Sequence, residues 1–290
     1  MKKVVILGCE NTHATTFLKI IEKGGFENMQ IIGAYSDDGI SAQKLNERFG
    51  IKVMKTFDEA VEEADGVIIT ARHGDKHFKY ALPYIKEGKV MFIDKPITIK
   101  EDEAVLLAKK LKANNVMVTG GSSCKHLKFI QELKKQHQNV VGGKTISGFI
   151  RTPIMMNSPH GEFFFYGQHA VDMALEIYGS DIIKVRAIQN EDSVTAILMY
   201  KDFNVTLNYC ESNYLYYASR NAKDSVSGSV MEVAEETPCF KQELLAFYDL
   251  LQGKNNKCDY NLFIKPVFVM NAIYRSIKSG KDEIINEYVI

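Results

Sequence analysis

Five short apolar runs frame the first 121 residues: KVVILG (3–8), QIIGAY (30–35), GVIITA (66–71), VMFID (90–94) and VMVTGG (116–121). Their hydrophobicity is continuous rather than alternating, the pattern of parallel strands covered on both faces. Segments of helical period lie between them. Residues 14–25 put Phe17, Leu18 and Ile21 on one face and stop at Gly24-Gly25; residues 41–50 end at Gly50; residues 75–88 turn Phe78, Ala81, Leu82 and Ile85 inward. Thr56 with Glu59, and Thr98 with Glu101, have the spacing of capping boxes that open two further helices. Strand–helix repetition with right-handed crossovers predicts an α/β, doubly wound Rossmann-type sheet.

The pattern changes after residue 121. One more helix, about 124–137, leads into GKTISGFIRT (143–152), KVRAIQN (184–190), SVTAILMYK (193–201), FNVTLNYCES (203–212) and VSGSVMEV (226–233). In FNVTLNYC the residues Phe203, Val205, Leu207 and Tyr209 alternate with Asn204, Thr206, Asn208 and Cys210, as in a half-buried antiparallel strand. The last segments are helical. The chain therefore divides into a domain at 1–121 and an α+β domain at 122–290 with a mostly antiparallel sheet, the C-terminal helices being free to pack back on the first domain. Both faces of several strands in 143–234 carry apolar or aromatic residues, which predicts that one face of the sheet meets a second subunit in a homodimer or homotetramer.

Composition narrows the class. Lys+Arg and Asp+Glu both number 36, so no net basic field points to nucleic acid. The apolar run after Met1-Lys2-Lys3 reaches Gly8 after four residues, too short for a signal-peptide core or a membrane span. Five cysteines form no CxxC pair, which predicts a reduced, cytoplasmic protein with no disulfide framework. His73 and His77 are four apart, but no Glu follows the first and no third ligand is evident, so no metal site is expected.

In a doubly wound sheet, ligands sit beyond the carboxyl ends of the strands. Gly8, Asn11, Thr12 and His13 follow the first strand there, Ser36 and Asp37 the second, Thr70 and Arg72 the third, with His77 at the next helix, and Asp94 and Lys95 the fourth. A glycine-rich dinucleotide fingerprint would place glycines at 8, 10 and 13; here the residues are Gly8, Glu10 and His13. The start of the helix at Thr12–Ala14 still offers backbone N–H groups to phosphate. The cofactor expected at such an edge is NAD or NADP: the carboxylate of Asp37 favours NAD, whereas Ser36 at the strand end and Arg72 pull toward NADP.

Taken together, the start at Gly8, the segments DGVIITARHGDKH (65–77) and GKVMFIDKP (88–96), and GQHAVDMALEIYG (167–179) resemble the glucose–fructose oxidoreductase/inositol dehydrogenase (Gfo/Idh/MocA) family over nearly the whole chain. DKP stands for that family's E-K-P, and GQHAVD for its G-x-H-x-x-D. The resemblance implies a Rossmann domain binding NAD(P), a second α/β domain, and hydride transfer between a nicotinamide and a secondary alcohol of a sugar, cyclitol or related polyol. It gives Lys95 the part of polarising the substrate oxygen and His169 that of acid/base; Pro96 fixes the turn that aims Lys95. The family commonly has an Asp four residues before the histidine, where this chain has Phe165. Tyr166 is then a candidate for binding substrate. Asp172 shares a helical face with His169 and can orient the imidazole or cap the helix. Phe165, Glu10 and His13 keep an alternative open, a non-catalytic dinucleotide-binding sensor or regulatory subunit. Tyr209, Tyr214, Tyr216 and Tyr217 read as packing rather than a sugar site.

Overall fold

The computed structural model describes residues 1–231, 236–255, 257–286 and 288–290, and forms two compact units. The first comprises Met1–Gly121, Phe240–Ile264 and Val289–Ile290; the second, Ser122–Cys239 and Lys265–Tyr288.

The first unit is built on five parallel strands: β1 (Lys2–Leu7), β2 (Met29–Tyr35), β3 (Gly66–Ile69), β4 (Val90–Asp94) and β5 (Met117–Gly121), in the order β2-β1-β3-β4-β5. Val53 adds a single parallel bridge to Ala34 on the outer side of β2. The order reverses between β1 and β3, so the crevice opens between the loops that leave their carboxyl ends, with the loop after β2 alongside. Helices α1 (Thr12–Glu22), α2 (Ile40–Phe49), α3 (Asp75–Ala81) and α4 (Glu101–Ala113) make the crossovers. Val4–Leu7 are wholly buried. Phe17 of α1 meets Phe92 of β4 edge-on with centroids 5.3 Å apart. Phe247 of α7 (Glu236–Leu251) continues this core, 6.3 Å from Phe92.

Two expected helix starts differ. After Thr56 the backbone makes successive turns through residue 63 rather than a helix. The Glu59 carboxylate accepts from Lys52 Nζ and Lys55 N–H, both at 2.6 Å, and so closes the preceding loop instead of reaching back to Thr56. At the second, the Thr98 hydroxyl donates to Lys100 O, and α4 begins at Glu101 with Lys100 as its N-cap. Helix α3 ends early because Pro83, which has no N–H to continue the ladder, sits in a 3-10 turn at Leu82–Tyr84.

The second unit carries a seven-stranded sheet in the order β11-β10-β6-β9-β8-β7-β12. Its strands are β6 (Thr145–Ile154), β7 (Lys184–Gln189), β8 (Ser193–Met199), β9 (Asn204–Glu211), β10 (Tyr217–Ala222), β11 (Val226–Val230) and β12 (Glu283–Ile284). All pairings are antiparallel except β6 with β9. Val205, Leu207 and Tyr209 of β9 are wholly buried, as the alternation requires. Strand β10 breaks the usual apolar signal: its Arg220 is buried and donates to Thr145 Oγ1 and to the carbonyls of Val141 and Gly143, at 2.7, 2.7 and 2.8 Å. Residues 232–234 of the expected sheet lie outside the described residues. Helix α6 (Phe163–Tyr178) covers one face, with Phe163 5.4 Å from Tyr209. Helices α5 (Lys128–Gln138) and α8 (Tyr260–Ser279) complete the chain. No helix of the described residues is long and apolar enough to cross a membrane.

Candidate active site

In the first unit the strand ends form a connected set. Gly8 turns the chain out of β1 at φ +76°, and a Cβ there would stand 2.5 Å from the Ala71 backbone. Only glycine combines that torsion with that approach. Asn11 caps α1 by accepting from His13 N–H at 3.2 Å, and Thr12 is exposed at the first turn. Thr70, fully buried, donates its hydroxyl to Gly8 O at 3.1 Å and ties the end of β3 to this turn. His77 is also fully buried; its Nε2 donates to Ala71 O at 2.8 Å, and burial holds the imidazole neutral by depressing its pKa. Both residues therefore fix the backbone around the crevice. Cys9 donates its thiol to Tyr35 O, and burial pushes its pKa up to about 12, so it is no nucleophile.

Asp94 ends β4 buried. Its Oδ1 accepts the Lys95 backbone N–H at 2.7 Å, while Oδ2 lies 2.6 Å from His13 Nδ1 and 3.4 Å from Asn11 Nδ2. Burial works against the carboxylate, but the His13 ring and Lys95 outweigh it and hold the pKa below the usual value. The Lys95–Pro96 peptide is cis, and Lys95 itself is 4% exposed.

At the end of β2, Ser36 accepts from Ala42 N–H and donates to Asp38 Oδ1, so its hydroxyl serves the start of α2. Asp37 accepts from Tyr35 OH at 2.9 Å and pairs with Lys76 Nζ at 2.7 Å. Partial burial opposes its charge; Lys76 and the hydroxyls of Tyr80 and Tyr35 bring its pKa down to about 2. Arg72 is half-buried and makes no hydrogen bond or ion pair among the described residues.

In the second unit the chemistry gathers on α6. His169 Nδ1 lies 2.6 Å from Ser122 Oγ, which also accepts Cys124 N–H at 3.1 Å. Asp172 does not touch the imidazole by hydrogen bond: its Oδ2 accepts from Ser122 N–H at 2.6 Å and from Gln168 Nε2 at 3.0 Å. It is buried, and burial raises its pKa against the opposing effects of Lys125, Gln168 and Ser122. The rings of Tyr166 and Tyr216 flank His169 with centroids at 5.5 and 5.8 Å, and Tyr214 stands 6.1 Å from Tyr166. Phe165 packs between Tyr166 and His160. Tyr209 and Tyr217 do pack into the sheet, against Phe163 and Phe149, but Tyr216 borders the histidine.

Ser122, Gln168 and Lys76 contact the candidate residues His169, Asp172 and Asp37 without any signal of their own in the sequence. Ser122 follows the fifth strand, and its partner His169 stands 47 residues away with no local signal to link the two.

The first unit meets three needs of a dinucleotide: close approach at Gly8, a helix N-terminus at Asn11–Ala14, and a carboxylate after β2. Comparison with known proteins agrees. Residues 2–122 match the family described as "Oxidoreductase family, NAD-binding Rossmann fold". Glucose-6-phosphate 3-dehydrogenase of Bacillus subtilis is 25% identical over 217 residues, 67% of this chain and 59% of the relative. The matched part spans about half the length of the curated relatives. Among solved structures, a myo-inositol dehydrogenase from Corynebacterium glutamicum superposes with a TM-score of 0.85 at 14% identity, covering 99% of this chain and 100% of that one. GenD2 from gentamicin A biosynthesis, solved in complex with NAD, gives 0.87 at 13% identity, covering 99% and 97%.

Proposed function

We propose, from the premise that residues 2–122 belong to the Gfo/Idh/MocA family of NAD-binding Rossmann oxidoreductases, that this protein transfers hydride between a nicotinamide and a secondary alcohol of a sugar, cyclitol or related polyol. The names of its relatives, a sugar-phosphate dehydrogenase and an inositol dehydrogenase, support that substrate class.

Gly8, the first turn of α1 and Asp37 would hold the cofactor, which when bound supplies the hydride donor or acceptor. His169 takes the hydroxyl proton as the carbinol is oxidised, since an imidazole titrates near neutrality. A hydroxyl oxygen accepts from Nδ1–H in both charge states of the ring, so with Ser122 as that acceptor the proton leaves and returns at Nε2. Lys95 stabilises the developing alkoxide. The rings of Tyr166 and Tyr216 offer apolar faces to the C–H groups of a polyol. The observation that carries this reading is the Ser122–His169 hydrogen bond, which orients the imidazole although Phe165 replaces the family's usual Asp. The relatives whose names support the substrate class are dehydrogenases, so the enzyme reading is preferred. A turnover screen of sugars and cyclitols with NAD⁺ and NADP⁺ tests it; cofactor binding without turnover of any of them would favour the sensor.

The uncovered face of the seven-stranded sheet presents Phe149, Ile197 and Tyr217, with Ile188 58% exposed. We assign it to a homo-oligomer contact; sedimentation showing only monomer at micromolar concentration would remove the idea.

A further inference from the structure

The geometry points to Lys76 as a residue that sets cofactor selectivity: by neutralising Asp37 it lets the protein accept the 2′-phosphate of NADP(H) alongside the free ribose of NAD(H). The inference rests on the first unit's binding a dinucleotide. An unpaired carboxylate after β2 would accept hydrogen bonds from the ribose hydroxyls and repel a 2′-phosphate. Here it is not unpaired. The Asp37–Lys76 contact at 2.7 Å joins the loop after β2 to the first turn of α3, the two segments that flank the end of β1. The pair is partly exposed, 35% for Lys76 and 39% for Asp37, so an incoming group can reach it.

The neighbouring groups leave this task to the pair. Ser36, at the end of the strand, has its hydroxyl engaged by Ala42 N–H and Asp38. Asp38 is turned to the start of α2, where it accepts from Ser41 N–H at 2.9 Å and Ser41 Oγ at 2.7 Å. Asp37 carries a full negative charge at neutral pH, and Lys76 is the cation that answers it. With NAD(H), Asp37 can turn to the ribose while Lys76 swings to solvent. With NADP(H), Lys76 meets the phosphate in a charge-assisted bond. Arg72, at the end of β3, adds a second cation on the same edge.

The test is dissociation constants for NADH and NADPH, from the fluorescence of the bound dinucleotide, with no substrate needed. The wild type should bind the two within about tenfold of each other. Lys76→Met should weaken NADPH by roughly tenfold or more, the scale of a lost charge-assisted hydrogen bond, and change NADH by less than about threefold. Lys76→Arg should keep the wild-type ratio. Asp37→Asn should move the ratio toward NADPH, and in that background Lys76→Met should cost NADPH less than it does in the wild type. A ratio unmoved by Lys76→Met, or a wild type that already rejects NADPH, overturns the role of Lys76 while leaving NADH binding intact. Binding of neither dinucleotide by the wild type overturns the cofactor reading itself.

Discussion

His13 Nδ1 lies 2.6 Å from Asp94 Oδ2, so the position where a dinucleotide fingerprint puts its third glycine holds the partner of the carboxylate that ends β4. The pair joins residues 81 apart in sequence and braces the turn that carries Lys95. Because Asp94 titrates below its ordinary range in the folded state, its stabilising effect is present above the unfolded pKa of about 3.9 and is lost as pH falls through the lower folded value. His13→Ala should raise the Asp94 pKa, destabilise the fold by roughly 1–3 kcal/mol and move acid unfolding to higher pH. Urea midpoints measured from about pH 3 to about pH 7 check this. An acid limb unchanged by the substitution would assign the shift to Lys95 and the backbone alone.

Gly8→Ala brings a Cβ to 2.5 Å from the Ala71 backbone at a φ of +76°. Left-handed strain of about 1–2 kcal/mol and overpacking of about 1–3 kcal/mol should combine to a loss of several kcal/mol in urea denaturation. A loss below about 1 kcal/mol would mean that β1 and β3 separate easily at this point.

Much of this was legible before the structure. The five parallel strands lie within two residues of where their apolar runs place them, because burial on both faces leaves a signal in every residue. The capping boxes misled because Thr56, Glu59 and Thr98 had competing partners in Lys52, Lys55 and Lys100, and spacing carries no information on competition. Strand β10 was missed because Arg220, a charged side chain, fills a core position through three neutral acceptors. Of the residues proposed for the chemistry, Lys95 and His169 carry local motifs. Their braces do not: Ser122 and His13 act across 47 and 81 residues, and His13 read as a missing glycine rather than as a partner.

Asp172 makes a prediction of opposite sign to Asp94. Burial raises its folded pKa, so the folded state binds more protons than the unfolded one, and stability falls as pH rises through that window, from about 4 upward. Asp172→Asn keeps an oxygen to accept from Ser122 N–H and removes the buried charge. The variant should be at least as stable as the parent at neutral pH and should show a flatter pH profile in calorimetry. A variant less stable at neutral pH than in acid would contradict this.

Ser122→Ala removes the hydroxyl 2.6 Å from His169 Nδ1. With a substrate in hand, kcat should fall roughly ten- to a hundredfold, part of the factor an acid/base group supplies, with KM changed little. The limb of the kcat/KM profile that reports the imidazole should shift, and Ser122→Thr should restore both. Loss of kcat with an unchanged pH profile would make Ser122 a packing residue.

The central claim is that Lys95 and His169 carry out hydride-transfer chemistry rather than furnish a turn and a helix start. The direct measurement is the rate of nicotinamide reduction on a sugar or cyclitol substrate by wild type, Lys95→Met, His169→Ala and the double variant, with folding confirmed by circular dichroism. Each single variant should lose about two powers of ten or more, and the double variant should lose less than the product of the two losses. Turnover by Lys95→Met at the wild-type rate would contradict the assignment and leave Lys95 a residue of the turn after β4.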